Sequence, residues 1–499
     1  MAVRSPLSEY PGKKALGIYE KIGVRPLINA RGTVTIIGAS RVLPEVLRAM
    51  DKASKEYVQL DELMEGVGSR LAVLTGAEWG IVTSGASAAI TAATAGCVTG
   101  GDPDKLWQIP DLKGMKDEVI IPSYSQSAYD AAAKAVGVRM VVVEDMEELA
   151  NALGPRTAMV LVLAGNLSEN GPLSLKDIAS LARPLHVPIL VDAAAEGPTV
   201  PNPHLRQGAD MVAYSGGKYL QGPQCSGLLL GRKDLVKASW ITVAPHHGFG
   251  RRFKVGREEI MGLLEAVEMW MKRDHKGVIA LWTSRLEYIA RELEEVEGVT
   301  SEILPPQGRS NHSPNLKVSW DPALIQLTGH QMEQFLWEGN PRIAVSGAGS
   351  FLPFPPNLQP FISINSSQLS DGQEKIISKK IYEILKHPHH DQTSLKPSAF
   401  DINGLWQLEM HFAASIVMQS LSIEQNFNQL KGMHYGHFAS RKLSGTLSGD
   451  DITIQSSYTE MGVRLNFEFL GKVGKDGMSG KVSMGEYGMV NWKATRQII

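Results

Sequence analysis

The sequence predicts an α/β chain. A mostly parallel sheet has helices on both faces, and it is followed by a small α+β domain and a C-terminal antiparallel, β-barrel-like domain. Three observations carry this reading. Between Pro26 and about Lys276, apolar β-branched runs are continuous rather than alternating, the pattern of strands buried on both faces. Segments of helical spacing separate these runs, and that alternation builds βαβ units. After Phe400 the texture changes to apolar–polar alternation broken by glycine-rich turns, the mark of half-buried antiparallel strands.

In chain order, residues 1–25 read as an N-terminal arm and 26–276 as the large unit. Its strands are expected at Gly80–Thr83, Glu118–Ile121, Arg139–Val143, Ala158–Val162, Pro188–Val191 and Ala209–Tyr214, with helical stretches at Ser127–Ala135 and Leu175–Ala182. Gly256–Met271 repeats Ile260, Leu263, Leu264, Val267 and Trp270 at helical spacing and leads into the second unit. That unit, 277–388, is expected to hold helices Leu281–Glu295 and Gly372–Leu385 and strands Asn315–Trp320 and Pro360–Asn365. A polar, proline-flanked linker at 389–399 follows. His387, His389 and His390 read as solvated residues, because no spaced acid or cysteine joins them to make a metal site.

In the β-rich unit, 400–499, Val463, Leu465, Phe467 and Phe469 alternate with Arg464, Asn466 and Glu468. Turns are expected at Ser444-Gly445, Ser448-Gly449-Asp450, Gly474–Gly477 and Ser479-Gly480. His434, Tyr435 and His437 read as structural residues in preference to a ligand site.

Composition narrows the function classes. Of 499 residues, 43% are hydrophobic and 20% charged, and a formal net charge of −2 gives no global attraction for nucleic acid or an anionic membrane. Cys97 and Cys225 make no disulfide framework and are expected as buried thiols. No run reaches the apolar length of a membrane span, and the polar N-terminal segment lacks a signal-peptide core, so a cytoplasmic protein is expected.

The chemistry concentrates at two strand ends. Pro188-Ile189-Leu190-Val191 ends in Asp192, and the strand through Tyr214 ends in Ser215-Gly216-Gly217-Lys218. A lysine in a small-residue turn and an acid at a neighbouring strand end form the layout of a pyridoxal 5′-phosphate (PLP) site. The amine forms a Schiff base with the cofactor aldehyde, and the acid keeps the pyridinium nitrogen protonated. The phosphate needs a cradle. Ser84, Gly85, Ala86 and Ser87 lie between a strand and a helix, where free backbone N–H groups and the helix dipole favour an anion. Ser215 is placed to reach the same phosphate, and Gly216 and Gly217 to turn where a side chain would collide with the cofactor. The competing reading, a hydrolase nucleophile elbow at Gly85–Ala89, lacks the final glycine, and no Walker lysine follows. Arg251, Arg252, Lys254 and Arg257 form a basic cluster that either binds a carboxylate or phosphate, within or across subunits, or is a solvated loop. Arg342 is a candidate for bidentate binding of a substrate α-carboxylate, and His246-His247 read as polar loop residues near the entrance.

On these residues the chain resembles the selenocysteine synthase-like branch of the fold type I PLP enzymes, and within it the D-glucosaminate-6-phosphate ammonia-lyases. The matching stretches are Gly23–Thr35, Leu74–Glu78, Tyr214–Lys218, Gln221–Gln224 with Gly227–Arg232, and Arg252–Ile260, within roughly residues 17–388. The resemblance implies the seven-stranded PLP-dependent transferase fold, Lys218 as the Schiff-base lysine, Asp192 as the pyridinium partner and Ser84–Ser87 as the phosphate loop. It also implies a homodimer or larger assembly with shared sites, so that Lys254 or Arg257 serves a neighbour. Asn29, Arg252, Arg257 and Arg342 are the substrate-binding candidates.

Family members often carry a histidine over the cofactor ring ahead of a Tyr-Asp pair. Here Ser125 replaces it before Tyr129-Asp130, and Tyr124 is the candidate to stack. Only a short arm precedes the core, so a tRNA substrate is not expected. The expected activity is α,β-elimination from an amino acid or amino-sugar acid with release of ammonia. Transamination or racemisation is the alternative within enzymes, and a non-catalytic scaffold the alternative outside them. No metal site is expected.

Overall fold

The computed structural model describes residues 17–347, 359–387, 396–460 and 463–497. Most of the linker expected at 389–399, with His389 and His390, lies outside them, as does most of the N-terminal arm.

The large unit is built on seven strands: β1 (Trp79–Thr83), β2 (Glu118–Pro122), β3 (Arg139–Val143), β4 (Thr157–Leu163), β5 (Ile189–Asp192), β6 (Met211–Ser215) and β7 (Gly227–Gly231). Their order across the sheet is β1-β7-β6-β5-β4-β2-β3. All neighbours are parallel except β7, which runs antiparallel to both β1 and β6. The inner strands are buried almost throughout, as continuous apolar runs require when helices cover both faces, whereas β3 at the edge is largely exposed. Helix α1 (Leu60–Thr75) packs on β1 and helix α2 (Ala86–Thr99) crosses several strands. Nearly every α2 residue after Ser87 is buried, which is why it is made of alanine, glycine and threonine. Helix α3 (Arg257–Lys272) is capped by Gly256 and returns along α1.

The second unit holds helix α4 (His275–Leu293), helix α5 (Gln373–Lys386) and a four-stranded antiparallel sheet of β8 (Val299–Leu304), β9 (Asn315–Trp320), β10 (Ser346–Gly347) and β11 (Phe361–Asn365). Helix α4 starts earlier than the sequence reading because Asp274 caps it, accepting the Gly277 N–H at 3.0 Å. Residues Leu27–Asn29, expected within the large unit, pair in parallel with Arg342–Ala344, and Ile28 and Ala30 pack in the second core. The chain therefore enters through the second unit before building the first.

The C-terminal unit is a closed barrel of eight antiparallel strands: β12 (Gly404–His411), β13 (Ile416–Asn426), β14 (Gln429–Tyr435), β15 (Ser440–Ser448), β16 (Asp451–Glu460), β17 (Val463–Gly474), β18 (Gly477–Ser483) and β19 (Met489–Arg496). Two of the expected turns are real hairpins, closing at Ser448/Asp451 and Gly474/Gly477. The other two are not turns. Gly445 and Gly480 sit mid-strand, where an added Cβ would lie 2.1 Å from the Thr453 carbonyl and 2.0 Å from that of Leu470. These glycines allow close backbone approach around the barrel wall.

Cys97 is half-buried, but Cys225, expected to be buried, is exposed in the turn between β6 and β7. No described helix is long and apolar enough to cross a membrane.

Candidate active site

In an open α/β sheet, ligands bind beyond the carboxyl ends of the parallel strands. Here β4, β5 and β6 end in register, Leu163 beside Asp192 and Asp192 beside Ala213. The antiparallel β7 begins at that same edge, and its Gly227 lies opposite both Ser215 and Thr83. One edge of the sheet thus collects Asp192, the Ser215–Lys218 turn and the Ser84–Ser87 loop, although they are far apart in sequence.

The loop has the form an anion requires. Gly85 caps α2 at φ +108° with no capping side chain, and the first backbone bond of the helix runs from Ala89 N to Gly85 O. The N–H groups of Ala86, Ser87 and Ala88 therefore have no acceptor in the helix, and they carry its positive dipole end. A Cβ on Gly85 would meet nothing within 4 Å, so the space in front of the loop is open. Behind the loop there is no room, since a Cβ on Gly227 would lie 2.3 Å from Gly85 C and 2.6 Å from Ala86 N. A phosphate fits this cradle.

Lys218 is half-buried, and among the described residues its Nζ has no hydrogen-bond or ion-pair partner. Burial lowers its ammonium pKa, and the Asp192 carboxylate opposes that shift. Asp192 is 5% exposed, and its Oδ1 accepts the Ala194 N–H at 3.0 Å. Burial raises its carboxyl pKa, the Ala194 bond and Lys218 lower it, and Asp130 and Glu196 push it up. A half-buried amine and a buried acid thus interact through space.

Gly216 and Gly217 have a different reason from the one the sequence suggested. A Cβ on Gly216 would fall 2.0 Å from Ser226 Oγ, and one on Gly217 2.8 Å from the Gln224 Cα. The chain itself fills the space around them, and the Gly216 O–Gly222 N bond of 2.9 Å closes the turn that presents Lys218.

The other candidates are placed less centrally. Tyr124 directs its hydroxyl to the Leu173 carbonyl at 2.7 Å, and burial pushes its pKa up to about 12. Ser125 is buried and accepts the Leu163 N–H at 3.0 Å, beside a small cavity shared with Asp130 and Asp192. All hydrogen bonds of Asn29 organise its own loop: Nδ2 donates to Gly32 and Ala39, and Oδ1 accepts from Arg31 and Gly32. Arg342 donates to the Trp337 carbonyl at 2.9 Å and stacks on that ring. Arg252 is exposed against Phe249 and Phe253, while Arg257 caps the helix Pro44–Ala53 through the Ala53 and Ser54 carbonyls. Within one chain, no contact joins these four to Lys218. His246 is held between Asp61 and the Trp240 and Val243 carbonyls, a structural role.

Sequence reasoning missed three groups. Asp130 is 3% exposed, and burial raises its pKa. Glu196 and His204 form a buried pair at 2.8 Å. The arginine that the second unit brings against the loop after Asp192 is Arg309, which pairs with Glu169 at 2.8 Å and lies 3.8 Å from Glu196. Its neighbours Ser310 and Asn311 bond Glu196 and the Ala195 carbonyl. The Tyr129-Asp130 pair was visible as a landmark, but neither Glu196 nor Arg309 sits in a motif.

The chain is similar to known PLP-dependent proteins. The family model described as Cys/Met metabolism PLP-dependent enzyme matches residues 51–239. The D-glucosaminate-6-phosphate ammonia lyase of Salmonella typhimurium (strain 14028s / SGSC 2262) is 31% identical over 383 residues, 74% of this chain and 98% of the relative. A 5′-C-glycyluridine monooxygenase-decarboxylase of a Streptomyces species is 28% identical over 386 residues, 74% of this chain and 92% of the relative. A solved structure of D-glucosaminate-6-phosphate ammonia-lyase superposes with a TM-score of 0.65 at 29% identity, covering 75% of this chain and 99% of that one.

Proposed function

Because the chain belongs to the D-glucosaminate-6-phosphate ammonia-lyase-like family of fold type I PLP enzymes, we propose that it is a lyase releasing ammonia from a 2-amino acid bearing a β-hydroxyl, of the amino-acid or amino-sugar-acid class. The observation that carries this reading is half-buried Lys218 beside buried Asp192, at the same sheet edge as the open N-terminus of α2. Lys218 would hold the cofactor, Asp192 its ring nitrogen, and Ser84–Ser87 with Ser215 its phosphate. When bound, the cofactor supplies an electron sink for a negative charge developing at the substrate α-carbon.

The chain's own groups do the rest. Burial lowers the proton affinity of Lys218 Nζ, which favours the free amine that would take a proton from the α-carbon and return it later. Asp192 is held by the Ala194 N–H and shielded from water, so its carboxyl is fixed and would pair with the cofactor's ring nitrogen. Net loss of ammonia from a 2-amino-3-hydroxy acid leaves a 2-oxo acid. The supporting relatives include both an ammonia lyase and a monooxygenase-decarboxylase, so the family's site serves more than one reaction. Transamination differs in needing an amino acceptor.

The test is the visible spectrum of the purified protein with and without added PLP, beside Lys218→Ala, followed by a screen for ammonia release without an added acceptor. A lysine-dependent band with ammonia release is expected. Turnover that requires an amino acceptor would replace elimination by transamination, and no band after adding PLP would remove the catalytic reading.

A further inference from the structure

The barrel interior is apolar through most of its height, with Trp406, Leu408, Leu421, Leu443, Ile454, Phe469 and Trp492 in one core. One layer breaks the pattern. Gln419, His434, Arg441 and Ser456 alternate inward on β13 to β16, and the last three are almost wholly buried. Strand direction places this layer beneath one mouth, where the β12–β13, β14–β15 and β18–β19 connections turn.

The layer is satisfied except at its cation. His434 Nε2 lies 2.5 Å from Gln419 Oε1, which only accepts, so Nε2 carries the proton. His434 Nδ1 then accepts from Ser456 Oγ at 2.8 Å and from Arg441 Nη1 at 3.4 Å. Arg441 is 5% exposed, with its guanidinium 4.5 Å from the Tyr458 ring centroid and 4.3 Å from that of Phe467. Among the described residues no carboxylate is found in an ion pair with it, and its Nε is buried without an acceptor. Aromatic faces and a neutral imidazole do not neutralise a buried guanidinium, whose charge no accessible pH removes.

The free groups have a direction. With Nη1 turned to His434, the remaining edge is Nε with Nη2, the side-on fork that matches the two oxygens of a carboxylate. Gly436, in the mouth turn, lies against Nη2, since a Cβ there would fall 2.6 Å from it. On the same turn Phe438 is 95% exposed, and Tyr487 in another mouth turn is 61% exposed. The rim therefore offers apolar surface above a single buried cation.

We propose that this mouth of the barrel is a binding site for a small organic monocarboxylate with an apolar body, its carboxylate on the Nε–Nη2 edge of Arg441 and its body against the rim. One cation among neutral donors suits a monoanion better than a dianionic phosphate. The site is separate from the Lys218 edge and does not depend on the reaction proposed there.

The experiment is calorimetric titration of the full-length, PLP-loaded protein with benzoate, with acetate and inorganic phosphate as comparison probes. The cofactor absorbance is followed in parallel to reveal binding at the other site. Saturable benzoate binding is expected that leaves the cofactor band unchanged, exceeds acetate, and weakens at least roughly tenfold in Arg441→Met and in Gly436→Ala. Gly436 has no left-handed backbone to strain, so Gly436→Ala carries the test should Arg441→Met not fold. No benzoate uptake, equal uptake by either folded variant, or tighter binding of phosphate than of benzoate would overturn the proposal.

Discussion

The α/β unit and the barrel each bury a cation, and they treat it in opposite ways. Lys218 faces Asp192, and its amine yields to burial by giving up proton affinity. Arg441 faces two aromatic rings and a neutral histidine, and a guanidinium has no neutral form to fall back on near neutral pH. The first arrangement makes a group that exchanges protons. The second makes a fixed charge that waits for an anion. A buried lysine beside an acid therefore points to chemistry, and a buried arginine without one points to recognition.

The largest expected effect separates the two regions outright. Under the proposed function, Lys218→Ala should lower ammonia release at least roughly 10³-fold, because it would remove both the cofactor attachment and the group proposed to carry the α-proton. Hydrogen exchange in the barrel strands should stay as in the wild type. An active Lys218→Ala protein would break the contrast at its first term.

Next comes pH. Burial, helped by the nearby Arg441 charge, pushes the His434 pKa down to about 3 from 6.5. Above pH 6.5 the ring is neutral folded or unfolded, so burial adds no pH dependence. As pH falls below 6.5, the unfolded chain takes up a proton that the folded barrel refuses, and stability drops until about pH 3. The slope approaches about 1.4 kcal/mol per pH unit, so the barrel should lose roughly 2–3 kcal/mol between pH 6 and pH 4. His434→Leu should flatten that slope, read as hydrogen exchange in β14 and β15. An unchanged slope would mean that other groups govern the acid response.

A third change tests the cradle by shape alone. Gly227→Ala would force a Cβ into the backbone of Gly85 and Ala86. Neither strand nor helix start can yield cheaply, so stability should fall by about 1–3 kcal/mol and PLP affinity with it. The barrel again serves as the internal control. Retained PLP affinity would show that the loop can shift without losing the phosphate.

The same contrast explains what was legible in the sequence. Continuous β-branched runs marked the inner strands, and Arg139–Val143 was placed to the residue even though it is the exposed edge. Strand β7 escaped because three leucines between glycines carry no β-branched signal, and α1 because Gly66 and Gly68 interrupt it. Gly68 is there for packing, with the Trp79 ring 2.2 Å from where its Cβ would be. Asp192 and Lys218 were readable because a strand end and a small-residue turn are local signals. Asp130, Glu196 and Arg309 were not, because the burial of a carboxylate and the docking of a loop are decided by tertiary packing. The polar layer of the barrel was hidden for a related reason. His434 and Arg441 look alike in sequence to exposed neighbours such as His437 and Lys442, and only strand phase separates inside from outside.

The smallest expected effect is also the sharpest on how the phosphate is held. Ser215 is half-buried at the end of β6, and among the described residues its hydroxyl has no protein partner. If it serves the phosphate, Ser215→Ala removes one hydrogen bond to a charged group, about 1.5–3 kcal/mol at most and less if water replaces it. PLP affinity should therefore weaken roughly tenfold, while turnover at saturating PLP stays within a few-fold of wild type. The comparison with Gly227→Ala then decides between two holders. A loss in both variants means that side chain and helix N-terminus share the phosphate. A loss in Gly227→Ala alone assigns it to the backbone of Ala86, Ser87 and Ala88, the one feature of the site that no side-chain substitution can remove.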